Sequence, residues 1–317
     1  MEQAFIMAAQ NNLTFFYQNP INLHIQDSRK QSLLHYAVRT SANEVIEYLL
    51  TNEVDVNVID YMGETPLFDC VRKSKISIAK RLIRRFANVN IKNAKGELPI
   101  HIAASKADIE MMKLLIENGS KIDELTNQGE SILHYAIRSN QVEFLKYTLQ
   151  LSTRFSSETD NLGNTLLHVA SRYGLPNITK YLLESMHNPH LKNERLETPL
   201  FHAVKSGSIE TIALLLYHGS YVDLKDRFGE VIRDIALQSD SNGVKELIET
   251  HIQGSLYQKN IKKYPLRYAV IKEDIDLLRT YLYQGIKDIK DDYQMNACEY
   301  ASKQGLKEFI KRLKEKS

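Results

Sequence analysis

The sequence has little of what several function classes require. Its 317 residues include two cysteines, Cys70 and Cys298, and no tryptophan. Two cysteines build no disulfide framework and suit a reducing compartment. Charge is balanced: 41 Lys and Arg against 39 Asp and Glu leave +2, too little for a dedicated nucleic-acid binder. Nowhere does an apolar run reach the roughly 18 residues of a membrane span. The start, MEQAFIMAAQNNLTFF, carries Glu2 and no basic residue before its apolar part, so it is a poor secretory signal. The phosphate-cradling GxxxxGK[ST] and GxGxxG patterns are missing, as are HExxH, CxxC and GxSxG. No catalytic residue, cofactor or metal is expected.

What is present is repetition. SLLHYAV from Ser32 recurs as TPLF from Thr65, LPIHIAA from Leu98, SILHYAI from Ser131, TLLHVAS from Thr165 and TPLFHAV from Thr198. Weaker copies start at Val231, Tyr264 and Asn296, so the steps are 33, 33, 33, 34, 33, 33, 33 and 32 residues. Five residues into the copies stands a small residue: Ala37, Cys70, Ala103, Ala136, Ala170, Ala203, Ala236, Ala269 and Ala301. Apolar stretches such as EVIEYLL and IEMMKLLIENG follow with the i, i+3, i+4 spacing of a helix with one buried face. Polar connectors come next, several with a glycine able to take positive φ: Gly63, Gly96, Gly129, Gly163 and Gly229.

This pattern resembles the ankyrin repeat, whose unit is about 33 residues with a T-P-L-H-x-A core. The resemblance covers almost the whole chain and implies an all-α repeat solenoid of stacked helix-turn-helix units joined by hairpin loops. On this parsing 1–26 is an N-terminal cap, 27–225 holds six regular repeats, 226–290 two degenerate ones, and 291–317 a C-terminal capping repeat. The rhythm falters at Leu149–Gly163 and at Gln238–Pro265, where a distorted joint is expected.

The resemblance also implies that His35, His101, His134 and His168, all in the fourth motif position, bond the neighbouring connector's backbone. Equivalent positions on adjacent repeats lie roughly 10 Å apart, whereas zinc holds its nitrogens at about 2 Å, so this row is no metal site. His187 and His190 of MHNPH are two ligands without partners. Asn57 and Asn90 read as turn residues, although such asparagines can be hydroxylated in related proteins.

Family resemblance places binding on a concave face of connector tips and first-helix ends. A cation stands two residues after the small residue at Arg39, Arg72, Arg138, Arg172 and Lys205, with Lys106 beside the Ser105 that interrupts the series. Just before the Thr position runs a nearly matching acidic row, Glu64, Glu97, Glu130, Glu197 and Glu230, with Asn164 in one place. Either the rows neutralise each other between adjacent repeats as exposed pairs worth about 0–1 kcal/mol, or the cations face a partner. With Tyr61, Met62, Lys73, Tyr173 and Phe228, those cations form the candidate binding residues. The expectation is a non-enzymatic scaffold, monomeric alone, binding a partner protein or peptide. It would be cytoplasmic, or secreted into a host cytosol if it is a microbial effector; a toxin-neutralising partner is the other role in view. Nucleic-acid binding through the basic row and an enzyme without a recognisable motif are the rival readings, the first opposed by the acidic row.

Overall fold

The computed structural model describes residues 2–151 and 159–316, and those residues are helical apart from connectors and three isolated β-bridges. They fall into two compact units, Met1–Phe155 and Ser156–Ser317. In the first unit α1 (Glu2–Ala9) and α2 (Leu13–Gln18) precede four helix pairs. These are α3 (Leu33–Thr40) with α4 (Asn43–Thr51), α5 (Pro66–Arg72) with α6 (Ile76–Arg84), α7 (Pro99–Ser105) with α8 (Ile109–Glu117), and α9 (Ile132–Arg138) with α10 (Val142–Leu151). The irregular joint expected at Leu149–Gly163 falls mostly on residues 152–158, outside the described residues.

Each first helix starts where the motif starts. Ser32, Thr65, Leu98 and Ser131 have extended backbone at the N-cap, and Pro66 and Pro99 open their helices where no N–H is needed. Ala37, Cys70, Ala103 and Ala136 are fully buried where α3, α5, α7 and α9 pack on one another in turn. The second helices bury one stripe, such as Val45, Ile46 and Leu49 of α4 or Met111, Met112 and Leu115 of α8. Each large side chain buried there contributes about 1.5–3 kcal/mol, and only stacking supplies the partner surface.

A side-chain oxygen at the start of each connector holds its turn. Asp60 Oδ1 accepts from the backbone N–H groups of Met62 and Glu64, at 2.8 and 3.0 Å, and Asn93 Oδ1 from Lys95 and Glu97. Asp27 and Thr126 do the same. The connector glycines have the positive φ expected of them. At Gly96 a Cβ would also come within 2.7 Å of the Asn127 backbone nitrogen, so this turn has no room for a side chain. Adjacent tips are joined by one backbone bond each, from Tyr61 N–H to Arg29, Ala94 to Met62 and Asn127 to Lys95. Asn57 and Asn90 act differently from the expected turn residues: each amide spans two connectors. Asn57 donates to the Phe86 carbonyl and accepts from Asn88 N–H; Asn90 donates to the Gly119 carbonyl and accepts from Lys121 N–H.

Three of the four motif histidines, His35, His101 and His168, bond the neighbouring connector's backbone. The N–H of Ser32 donates to His35 Nδ1, which fixes the tautomer, and Nε2–H donates to the Glu64 carbonyl at 3.0 Å. His101 reaches the Glu124 carbonyl at 3.1 Å, and in the second unit His168 reaches that of Glu197 at 3.0 Å. His134 is buried and accepts from Ser131 N–H.

The second unit begins in the same way, with α11 (Leu166–Arg172), α12 (Pro176–Glu184), α13 (Pro199–Ser206), α14 (Ile209–Tyr217), α15 (Ile232–Gln238) and a longer α16 (Asn242–Gln253). Asp160, Asn193 and Asp226 hold its turns. The next repeat should open at Lys259, a residue with no acceptor for such a turn. There the chain forms a helix, α17 (Ser255–Lys263), in place of a connector. The four helices that follow, α18 (Pro265–Lys272), α19 (Ile275–Tyr283), α20 (Ala297–Lys303) and α21 (Lys307–Lys316), pack on one another. They do not simply extend the row expected from the repeat count. They lie against the connectors after α12 and α14: Asn188 Nδ2 donates to the Tyr300 hydroxyl at 2.6 Å, and Lys192 pairs with Glu273 at 2.6 Å. Arg267 stands where other repeats have the motif histidine. It donates to Asp291, the turn-holding residue of the next connector, at 3.0 Å and to the Tyr221 hydroxyl at 2.9 Å. Tyr300 donates to the same Asp291 carboxylate at 2.6 Å, and Tyr257 and Tyr268 both donate to Asp223.

Two stability predictions result. Burial holds His101 near pKa 4 and His168 near 3, against 6.5 unfolded. The unfolded chain therefore binds protons that the folded chain refuses, and stability present above pH 6.5 is lost as pH falls toward 4. Each of these histidines should cost about 2 kcal/mol between pH 6.5 and 5. Urea midpoints across that range should fall, and fall less in His101→Gln; a flat profile would contradict this account. Second, Arg267 and Asp291 are an ion pair buried on both sides. Arg267→Met should cost about 3–5 kcal/mol by leaving a buried charge alone, and adding Asp291→Asn should recover part of that loss in the same denaturation assay.

Candidate functional site

The cations and acids of the two predicted rows meet, but mostly inside one repeat rather than between repeats. Eight residues separate each pair, which brings the residue before the N-cap beside the last turn of the first helix. Arg72 grips Glu64 with two bonds, Nη1 to Oε2 at 2.8 Å and Nη2 to Oε1 at 2.6 Å. Arg138 holds Glu130 and lies 4.4 Å over the Tyr135 ring. Lys205 meets Glu197 at 2.7 Å. Arg39 instead takes a carboxylate from the next repeat, Asp69, at 3.2 Å, while also donating to Gln31.

These are not the exposed pairs anticipated from spacing, because the carboxylates are mostly covered. Burial raises the Glu64 pKa, but the hydrogen bond and charge of Arg72 outweigh it, with help from Asn93, so the carboxyl lies below its ordinary value. Glu197 is held well below its ordinary value, first by its bond with His202 against the opposing effect of burial, then by Lys205 and Asn193. Where Ser105 interrupts the cation row, Glu97 instead accepts from the Tyr135 hydroxyl at 2.6 Å and from Asn93. Tyr135 is raised in consequence, by burial first and then by Glu97.

Lysines near the turns between paired helices close the ends of first helices. Lys106 Nζ donates to the Arg72 carbonyl at 2.7 Å, and Lys75, not singled out from sequence, donates to the carbonyls of Val38 and Arg39. A cation one repeat downstream thus satisfies carbonyls left open at a helix C-terminus. Lys73 is exposed. Tyr61 and Phe228 stand out from connector tips, 60% and 77% exposed, with Met62 half-buried beside Tyr61. Tyr173 is exposed at the C-terminal end of α11.

Arg172 breaks the pattern. Asn164 occupies its acidic position and turns both ends of its amide elsewhere: Nδ2 donates to Asp160, and Oδ1 accepts from Asn193. Arg172 remains exposed, with no carboxylate partner among the described residues. Beside it lies a hollow of about 340 Å³, where the next tip presents Arg195. Spacing alone contained the eight-residue rule, which would have flagged both the pairs and this exception.

A larger cleft of about 990 Å³ lies between the connectors of α11 to α13 and the ends of α20, where Asn188, Tyr293 and Tyr300 line it. His190 is buried nearby among the rings of Tyr221, Tyr293 and Tyr300. Among the described residues no group of three or more His, Cys, Asp or Glu is placed to hold a metal ion, and no helix is long and apolar enough to cross a membrane.

Comparison with known proteins agrees with this architecture. A family model described as ankyrin repeats matches three times, over residues 5–93, 73–155 and 149–226. Among solved structures, the crystal structure of the ankyrin repeat domain of Bcl-3, titled a unique member of the IkappaB protein family, is 26% identical with a TM-score of 0.53. That match covers 67% of this chain and 97% of the other. No curated protein matches the chain. With its family match spanning more than half of the sequence, its stacked helix pairs and its histidine-linked connectors, the chain belongs to the ankyrin repeat family, whose repeats generally serve as protein–protein interaction modules.

Proposed function

We propose that the protein is a non-enzymatic scaffold that docks a partner protein or peptide on the face formed by connector tips and first-helix ends. The observation that carries this reading is the combination on that face of a braced polar floor with projecting aromatic rings. Paired cations are held by covered carboxylates, so their geometry is set before a partner arrives and little side-chain entropy is lost on binding. On the same kind of tip and helix end Tyr61 is exposed in the first unit, and Tyr173 and Phe228 in the second. Aromatic and arginine side chains are the usual anchors of protein interfaces.

The same pairing weighs against a polyanion reading. Arg72, Arg138 and Lys205 already face carboxylates, and a phosphate backbone would meet Glu64 and Glu130 in the first unit or Glu197 in the second. Cys70 is buried, and burial raises its thiol pKa far above its ordinary value, which opposes nucleophilic use. Both cysteines are free, as suits a reducing cytosol, either the producing cell's or a host's. The identity of the partner decides between a host-directed effector and a toxin-neutralising protein.

Charge reversal of Arg72 or Arg138 would orphan a covered carboxylate and confuse folding with binding. The cleaner test replaces exposed rings. Tyr61→Ala/Phe228→Ala should reduce capture of the native partner at least tenfold in quantitative pull-downs, with the urea midpoint nearly unchanged. Phe86→Ala, an exposed ring at the end of the second helix α6, should leave capture intact. Equal losses from both variants, or none from the first, would defeat the assignment of this face.

A further inference from the structure

In the row of paired charges Arg172 is left without an acid among the described residues, and the gap has the chemistry of one carboxylate. In the repeats opening at Thr65, Ser131 and Thr198, the residue before the N-cap is Glu64, Glu130 or Glu197, and the cation eight residues on is bonded to it. In the repeat opening at Thr165 that residue is Asn164. Both ends of its amide are bonded within the connectors, and Arg172 is left facing the hollow. Arg195, on the following tip, lines the same hollow and has no side-chain partner among the described residues. The remaining charges there largely cancel: Glu197 is bonded to Lys205 at 2.7 Å and to His202 at 3.4 Å. Two arginines therefore share about 340 Å³ of open space without a counter-charge, and the exposed Leu162 stands at its rim.

We infer that this hollow receives the carboxylate of a Glu or Asp from an extended segment of the partner, gripped by Arg172 and Arg195, with the neighbouring apolar residue of that segment resting on Leu162. The inference rests on the scaffold reading above and adds the partner's chemistry to it. The template is internal to the molecule: Arg72 shows how an arginine at this position holds a carboxylate, with two bonds of 2.6 and 2.8 Å. Such forked, charge-assisted bonds are short and directional. A single carboxylate also fits better than a phosphate dianion. Glu197 lines the same hollow, and its repulsion grows with the charge of the guest. Asn164, bonded to Asp160 and Asn193, leaves Arg172 without an acid from its own repeat.

Asn164→Glu tests this directly, because it should restore the pair found in neighbouring repeats and close the site without loss of stability. Random 12-residue peptides displayed on phage would be selected on the full-length protein, and their affinities measured as synthetic peptides. The selected sequences should be enriched in Glu or Asp next to an apolar residue. Their affinity should fall at least tenfold on Asn164→Glu and on Arg172→Gln, and on replacement of the acid by its amide. The urea midpoint of Asn164→Glu should equal or exceed that of the parent. Absence of acidic enrichment, including absence of any enrichment, overturns the inference, as does equal affinity for the parent and Asn164→Glu. So does inorganic phosphate that displaces the peptides better than chloride at equal ionic strength, which would make the hollow a phosphate site. Selected peptides that lack acids yet are lost on Tyr61→Ala/Phe228→Ala would sink this inference alone and leave the scaffold reading standing.

Discussion

One side-chain oxygen per repeat, placed at the start of the connector, organises much of what surrounds it. Asp27, Asp60, Asn93, Thr126, Asp160, Asn193, Asp226 and Asp291 each accept from backbone N–H groups two and four residues on. Each such bond contributes only about 1 kcal/mol net. Its effect is geometric, because a turn fixed from within presents its tip in the same pose every time. Neighbouring tips can then be joined by single backbone bonds, and the connector carbonyl stands where a buried histidine can reach it. Lys259 is the counterexample. With no acceptor there, the segment closes its own backbone bonds as α17, and the remaining helices pack back on the connectors before it.

That constraint also explains why covered carboxylates are tolerated at the tips. A Glu taken from water loses several kcal/mol of hydration unless donors replace it. The fixed connector brings Asn93 to Glu64 as well as to Glu97, and the first helix brings Arg72. Glu197 gathers Asn193, His202 and Lys205 in the same manner. The result is a floor of compensated charges, stiff and close to neutral. Specificity on such a surface resides in its irregularities, because a uniform row offers every rung the same affinity.

Much of the fold was legible because the helices carry their own local signals. The N-caps, the prolines at Pro66, Pro99 and Pro199, the buried small residues and the connector glycines each act within a few residues. The roles of His35, His101 and His168 required the family resemblance, since their acceptors lie 23 to 29 residues away. What spacing did not show were contacts between parts without a periodic relation. Arg267 looked like a decayed motif residue, yet it bonds Tyr221 from 46 residues away and Asp291 from 24. The charged rows are legible from spacing, but their pairing is not, because pairing within a repeat and pairing between repeats look alike when only the rows are compared.

A repeat protein offers an internal control that other folds lack: each position is solved several times over in one chain. A deviation at a position where several siblings do one physical job can lose that job or replace it. At 267 the job is replaced. An arginine takes the histidine's place, the next connector answers with a side-chain carboxylate instead of a carbonyl, and the bond between repeats becomes a buried ion pair. At 164 the job is lost, because Asn164 turns away and Arg172 keeps its charge in open space. Replacement keeps the energy inside the fold; loss leaves an interaction to be completed by something else. The difference between the two cases is visible only in contacts, and it separates a deviation that holds the structure together from one that faces a partner.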